Sequence, residues 1–570
     1  MINYREKIAD ILAPHIEGLE RDEILPMIEV PADSSKGDYA FPCFKLAKIM
    51  RKAPPMIAKG IAEAIEGEEM FQKVECVNAY VNMFMSKAEF AGNVVKEVLE
   101  KDKDFGRSDM GAGRTVIVEY SSPNIAKPFH IGHIRSTVIG NSIYKIYDFL
   151  GYDTIRINHL GDYGTQFGKM ICAYRKWGNK EDVIREPIKS LLSYYTKFHE
   201  EAEKDPSLED EARAIFVRLE NGEPEEVELW QWFRDESLRE FNRVYDMLGI
   251  TFDSYNGESF YSDKMPAVVQ ELKDKGLLVE DNGAQIVKLD QFDLPPALIT
   301  KSDGSTLYIT RDIAAAIYRK NTYDFYKNIY VVASQQNLHF QQWIKVIQLM
   351  GYDWADDCIH VPFGLVSMEE GTMSTRQGRV IFLEDVLNRA VEQTRKIIME
   401  KNVNTENVDE TAKEVGIGAV VFNELSNYRI KDYVFSWDKV LNFEGETGPY
   451  VQYTHARACS ILRNAGEAVA ARAKEGFDAS RITSDSAHAL IKLIYEMPEV
   501  IVEAGEKYEP SIVTRHIVDI AQAFNKFYHD EHILVDDEEE KTAKVALVMA
   551  ARNVIRNGLD LLGMKAPEKM

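Results

Sequence analysis

Thr115-Val-Ile-Val-Glu-Tyr-Ser-Ser-Pro-Asn-Ile-Ala-Lys-Pro-Phe-His-Ile-Gly-His-Ile134 is the stretch whose reading decides the fold. Its first six residues are mostly apolar and rich in β-branched side chains, which predicts a buried parallel strand. Pro123 and Pro128 force the next segment into a loop. Ile134, Val138, Ile143, Ile146 and Leu150 then recur at roughly helical spacing up to Gly151. A strand, a loop and a helix N-terminus carrying His130 and His133 form a cradle for an anion. Backbone N–H groups and the helix dipole face a ligand there. Imidazoles donate hydrogen bonds to phosphate oxygens, and Gly132 lets a flat ring approach the backbone. In isolation the same pattern equally suits two histidines satisfied at a helix cap.

Working outward, Thr154–His159, Asn328–Ser334 and Ile359–Val366 read as further strands between helical stretches. The expected fold is a multidomain α/β protein with a doubly wound, Rossmann-like catalytic domain over residues 108–385. A charged, mostly helical insertion lies near 180–290. Residues 1–107 read as a small α+β domain ending in the alternating strand Tyr80–Met85. Residues 386–445 read as a helical connecting region and 446–570 as an all-α domain.

The 570 residues carry a net charge of −24, with 45% hydrophobic and 28% charged side chains. That balance excludes a protein coated in phosphate contacts, though not a local basic patch. Cys43, Cys76, Cys172, Cys358 and Cys459 are widely spaced, which argues against a zinc ribbon or a disulfide framework. The sequence has no continuous transmembrane apolar run, and early Glu6 and Asp10 do not suit a signal peptide. A cytoplasmic protein without membrane contact is expected.

Four further stretches complete the pattern: Asn158-His-Leu-Gly-Asp-Tyr-Gly-Thr-Gln-Phe-Gly168, Tyr308-Ile-Thr-Arg-Asp312, Met373-Ser-Thr-Arg-Gln-Gly378 and Thr447-Gly-Pro-Tyr-Val-Gln-Tyr-Thr-His-Ala-Arg457. Taken in order with the signature, they resemble the arginyl-tRNA synthetases, a family of class I aminoacyl-tRNA synthetases, over nearly the whole chain.

The resemblance implies ATP-dependent ligation of L-arginine to its tRNA through an arginyl-adenylate, with tRNA required for activation. His130, Gly132 and His133 would bind ATP, with His130 and His133 stabilising the charge added around phosphorus. The second ATP motif of the class falls on Thr372–Arg376, where Met373, Ser374 and Arg376 would contact ATP. Both of its usual lysines are threonine here, and Lys127 would supply the missing charge. A solvated loop lysine is the competing reading of Lys127.

Arginine recognition would fall to Asp312, Tyr308 and Glu258 at the guanidinium. Ser122, Asn124 and Gln336 would hold the α-amino group, with Glu119 at the mouth of that loop and His130 beside the substrate. An ordinary helix-cap carboxylate is the alternative for Asp312. Tyr450, Tyr453, Phe524, Tyr528 and Met570 would read the anticodon, and Tyr80 and Asn82 the outer corner of tRNA. Aromatics at helical spacing equally suit a core, and a buried strand tyrosine would explain Tyr80. Mg²⁺ is expected to travel with ATP, no zinc or dedicated protein metal site is expected, and a monomer is expected. A different class I synthetase, a small nucleotidyltransferase and a non-catalytic tRNA-binding relative are the remaining alternatives.

Overall fold

The structure, a computed structural model, describes residues 3–301, 308–368, 381–401 and 407–570. Near the N-terminus, β1 (Tyr39–Pro42), β2 (Phe71–Val77) and β3 (Tyr80–Met85) form an antiparallel sheet in the order β1-β3-β2. The expected alternation of β3 holds only in part: Val81, Met83 and Met85 are buried and Tyr80 and Phe84 half-buried, but Asn82 is buried as well.

The central sheet is parallel, in the order β10-β9-β4-β5. It comprises β4 (Thr115–Glu119), β5 (Asp153–Ile157), β9 (Lys327–Ala333) and β10 (Cys358–Phe363). Chain order runs outward in opposite directions from the β4–β9 pair. The carboxyl ends of these two strands therefore flank a topological switch point, where open α/β sheets bind ligands. Val116, Ile117 and Val118 of β4 are 0% exposed, as a central parallel strand requires. The helix Ile134–Phe149 crosses from β4 to β5. It packs closely enough that a Cβ at Gly140 would stand 2.1 Å from the Cβ of Tyr120.

The insertion is helical from Lys180 to Leu248, but it ends in a sheet the helical reading missed. Strands β6 (Leu278–Asp281), β7 (Ala284–Val287) and β8 (Ala297–Thr300) pair antiparallel. The signal was the Asn282-Gly283 pair, whose φ values of 51° and 81° suit a two-residue hairpin turn. The single strand expected over 359–366 also divides. Gly364 ends β10, and β11 (Val366–Met368) leaves the sheet to pair with β12 (Tyr433–Phe435). Asp432 Oδ1 draws the chain there by accepting the Leu365 N–H at 2.6 Å. β12 is likewise a strand inside a region read as helical.

The C-terminal helices Gly448–Ala465, Asp485–Lys507, Ser511–Asp530 and Glu538–Leu561 close around Leu490, Ile494, Ile517, Leu547 and Val554. The N-terminal domain docks on this bundle. Asp38 Oδ1 meets Lys492 Nζ at 2.6 Å, Lys87 Nζ meets Asp485 at 2.7 Å, and Arg556 meets Asp102 at 2.8 Å. No helix among the described residues is long and apolar enough to cross a membrane.

Candidate active site

After β4 the chain enters a tight loop in which Ser121, Ser122 and Ala126 adopt φ values of 70°, 46° and 57°. Left-handed backbone at non-glycine residues costs energy and persists only where the surroundings impose it. Those surroundings are hydrogen bonds. Ser121 N–H donates to Ser136 Oγ at 2.9 Å, and Ser121 Oγ lies 2.8 Å from both Thr137 Oγ1 and the Tyr245 hydroxyl. Ser122 Oγ accepts the His159 N–H at 3.2 Å, and Ser237 Oγ accepts the Ala126 N–H at 2.9 Å. Tyr245 and Ser237 belong to the helix Pro224–Leu248. The insertion, which shows no catalytic cluster in its sequence, therefore buttresses the signature loop. Asn124 bridges to Gly161, where a Cβ would fall 2.2 Å from Asn124 Oδ1.

Ile131–His133 form a 3₁₀ turn at the head of the helix Ile134–Phe149. His130 Nδ1 accepts the Gly132 N–H at 3.1 Å. Burial lowers the pKa of His130, so the ring is neutral near pH 7. With Nδ1 occupied as an acceptor, its proton sits on Nε2, which becomes a fixed donor. His133 is buried more deeply, and desolvation, aided by His130, brings its pKa down to about 3. Its Nδ1 lies 3.1 Å from the His130 N–H and 3.2 Å from the His130 carbonyl. The two rings stand 4.0 Å apart. Lys127 remains exposed at the rim. Desolvation lowers its pKa, and nearby Glu258 raises it.

Three carboxylates surround the switch point, and each has a resident partner. Glu119 Oε2 lies 2.6 Å from Nη1 of Arg319, a fully buried guanidinium that also approaches His159 Nδ1 at 3.3 Å. Glu258 Oε2 lies 3.4 Å from Arg311 Nη1. Burial pushes the Glu258 carboxyl up to about 7; Arg311 opposes this, and the charges of Asp312 and Asp162 add to it. Asp312 bonds to His339 Nε2. A carboxylate only accepts, so that nitrogen carries the proton. Glu258 is also fixed from behind. Asp162, 1% exposed, accepts from Ser259 N–H at 2.8 Å, Ser259 Oγ at 2.9 Å and Arg234 Nε at 3.2 Å.

Tyr308 and Asp312 share the helix Tyr308–Tyr323 and stand about one turn apart on it. Tyr308 is 60% exposed, with the Arg311 guanidinium 5.6 Å from its ring. Gln336 is exposed on the short turn Ser334–Gln336 after β9, next to β4 in the sheet. Met373, Ser374 and Arg376 lie outside the described residues. Among residues the sequence did not single out, His339, Arg311, Arg319, Asp162, Ser237 and Tyr245 all act on the site.

On the C-terminal domain, Tyr453 and Tyr528 are 42% and 43% exposed, and the Arg457 guanidinium lies 4.9 Å and 5.6 Å from their rings. Asn525 joins them, donating to the Tyr450 hydroxyl at 2.9 Å and accepting from Arg457 at 2.5 Å. Phe524 does not join them. It is 0% exposed, and its apolar ring belongs to the core. Met570 is half-buried at the end of a tail fixed along the helix Gly448–Ala465, where His455 Nδ1 meets the Pro567 carbonyl at 2.9 Å. Tyr80 is half-buried against Phe44, but Asn82 is only 5% exposed. Its pairing opposite Ala40 of β1 and Glu75 of β2 leaves little of it to meet an RNA, which corrects the expectation for this residue.

The parallel sheet and the histidine turn at its switch point define the catalytic domain of a class I aminoacyl-tRNA synthetase. Residues 94–437 match the family model described as tRNA synthetases class I (R), catalytic domain. Residues 3–85 match the arginyl tRNA synthetase N terminal domain, and 451–570 the DALR anticodon binding domain. The arginine–tRNA ligases of Halothermothrix orenii and Clostridioides difficile are 59% and 60% identical over 570 residues, covering all of both chains. The solved arginyl-tRNA synthetase of Thermus thermophilus shares the fold at a TM-score of 0.79 and 24% identity, with 100% of each chain covered. The chain belongs to the arginyl-tRNA synthetase family. Its activity is that of an arginine–tRNA ligase, which uses ATP to charge the arginine tRNA with arginine.

Proposed function

We propose that this site forms arginyl-adenylate between the signature turn and the Asp312–Glu258 pocket, and requires bound tRNA to do so. The observation that carries the reading is the fixed Nε2 donor of neutral His130 at the head of the signature helix, together with three carboxylates whose resident partners differ. Glu119 and Glu258 face resident guanidinium groups, whereas Asp312 faces an imidazole. Asp312 is therefore the carboxylate best placed to meet an incoming guanidinium, with Tyr308 beside it and Glu258 across. Ser122, Asn124 and Gln336 hold the substrate α-amino group, and Glu119 keeps Arg319 beneath the loop.

A carboxylate oxygen of arginine attacks the α-phosphorus of MgATP, and pyrophosphate leaves with its electron pair. His130 and His133 donate to the oxygens that gain charge, and Lys127 supplies the compact cation that the threonine-substituted second motif lacks. Met373, Ser374 and Arg376 contribute from that motif. The 2′-hydroxyl of the terminal adenosine then attacks the carbonyl carbon, and AMP departs. Tyr450, Tyr453, Tyr528 and Met570 face the anticodon, and Tyr80 faces the outer corner of tRNA. The chain acts as a monomer in the cytoplasm, where its tRNA is used.

The whole reading is tested by charging with all twenty amino acids and total tRNA; esterification of anything but arginine would overturn it. ATP–pyrophosphate exchange will be close to background without tRNA and restored by the arginine tRNA. Brisk exchange by the tRNA-free enzyme would remove the tRNA requirement. Lys127→Ala will lower the exchange kcat and leave the arginine KM near its starting value. An unchanged kcat would return Lys127 to the role of a solvated loop residue.

A pH dependence follows from Glu258. With its carboxyl at about 7, it is mostly protonated and neutral at lower pH and ionised at higher pH. Arginine binding gains a second anion as pH rises, so the arginine KM will fall between pH 6 and pH 8. Glu258→Gln will flatten that slope, and a slope that survives the substitution would assign the titration elsewhere.

A further inference from the structure

Two buried charges take no part in the chemistry above. Arg135 lies two residues beyond His133, in the first turn of the helix Ile134–Phe149, and Glu424 lies near the end of the helix Val408–Ser426. Both side chains are 0% exposed. Arg135 Nε donates to Glu424 Oε1 at 2.6 Å, and its Nη1 donates to the Lys431 carbonyl at 2.8 Å. The Tyr433 hydroxyl donates to Glu424 Oε2 at 2.6 Å, and the Arg135 guanidinium lies 5.2 Å from the Tyr433 ring.

Stability alone is a poor reason for such a pair. Desolvation cancels most of the Coulomb gain, and well-packed apolar residues usually serve as well. What the pair does supply is a fixed position. Tyr433 opens β12 in register with Val366 of β11, and β11 ends at Met368, four residues before Thr372 of the second motif. On the far side of that motif the contact with the signature is direct. Ile131 N–H donates to the Ile381 carbonyl at 3.1 Å, Leu383 N–H donates to the Phe129 carbonyl at 2.9 Å, and His130 bridges to Phe382. The chain before the second motif and the chain after it are both tied to the first motif. The earlier tie passes through Tyr433, Glu424 and Arg135.

We propose that Arg135, Glu424 and Tyr433 are positioning residues for adenylate formation, holding the strand that leads into the second motif at a set place against the signature turn. They touch no substrate. This rests on the reading of the two motifs as the ATP site.

The test is ATP–pyrophosphate exchange with arginine tRNA present, measured for R135M/E424L, Y433F and the control H130N. R135M/E424L replaces the ion pair with apolar groups of similar size and is expected to melt close to the unmodified protein. Its exchange kcat will fall between about tenfold and a hundredfold, the cost of a reacting site shifted by about an ångström. The KM for ATP will rise, while those for arginine and tRNA stay put. Y433F, nearly unchanged in volume, will show a smaller loss in the same direction. A stable R135M/E424L with unaltered kcat and ATP KM would reduce the pair to packing. If R135M/E424L does not fold, an unaltered Y433F would have the same consequence. Full exchange by H130N would instead overturn the underlying assignment of the ATP site.

Discussion

Asp312→Ala will raise the KM for arginine by about a hundredfold, with a much smaller change in kcat. Truncating one partner of a desolvated, hydrogen-bonded charge pair costs roughly 2–5 kcal/mol, or about thirty- to several-thousand-fold in affinity. The Asp312 side chain is 29% exposed, so some solvent screening remains and the lower part of that range applies. The substitution also leaves the His339 donor without its acceptor. Glu258 cannot compensate, because it already faces Arg311 and is only partly ionised at neutral pH. Asp312→Asn separates charge from shape: the amide keeps an acceptor oxygen for His339 but offers no anion. Steady-state kinetics in arginine decide the matter, and an Asn variant that binds arginine normally would end the proposed guanidinium role.

His130→Asn will lower kcat for adenylate formation by about 10²–10³-fold, the usual cost of removing one preorganised donor from a developing oxyanion. Asparagine is the informative replacement. Its Oδ1 can still accept the Gly132 N–H that His130 Nδ1 now holds, so the turn keeps its cap. What disappears is the donor at the far side of the ring. His130→Ala removes both, and the difference between the two variants measures the cap. Single-turnover adenylate formation, with tRNA present, separates this step from transfer. Near-normal chemistry in the Asn variant would mean that the ring serves the backbone and not the phosphate.

The parallel strand β4, the proline-broken loop and the helix after it were legible because three local signals agree over twenty residues. The same signals placed Glu119, Ser122 and His130 together after the carboxyl end of β4. What stayed hidden depends on distance along the chain. Tyr245 reaches Ser121 across 124 residues, and nothing in an amphipathic helix says that its one tyrosine will do so. Arg319 reads as a surface charge on a helix, yet it is fully buried under Glu119. Phe524 and Tyr528 stand four apart, which turns a helix by about 40° beyond a full revolution. That offset is enough to leave one ring in the core and the other at the rim. The β6–β7 hairpin is different: Asn282-Gly283 announced it, but the surrounding charge pattern was read as helix.

The docking of the first domain on the last has a consequence for synthesis. Asp38 and its partner Lys492 are 454 residues apart. A ribosome adding roughly 5–20 residues per second needs about twenty seconds to a minute and a half to travel between them. Once Met85 has been added, the β1–β3 sheet is complete but undocked for the rest of that interval. Tyr4 and Phe90, which pack against Tyr495, wait for a helix that does not yet exist. The nascent protein therefore closes like a clasp, its earliest surface capped by almost its latest. The emerging chain shows a chaperone or a protease an apolar seam that the finished enzyme hides.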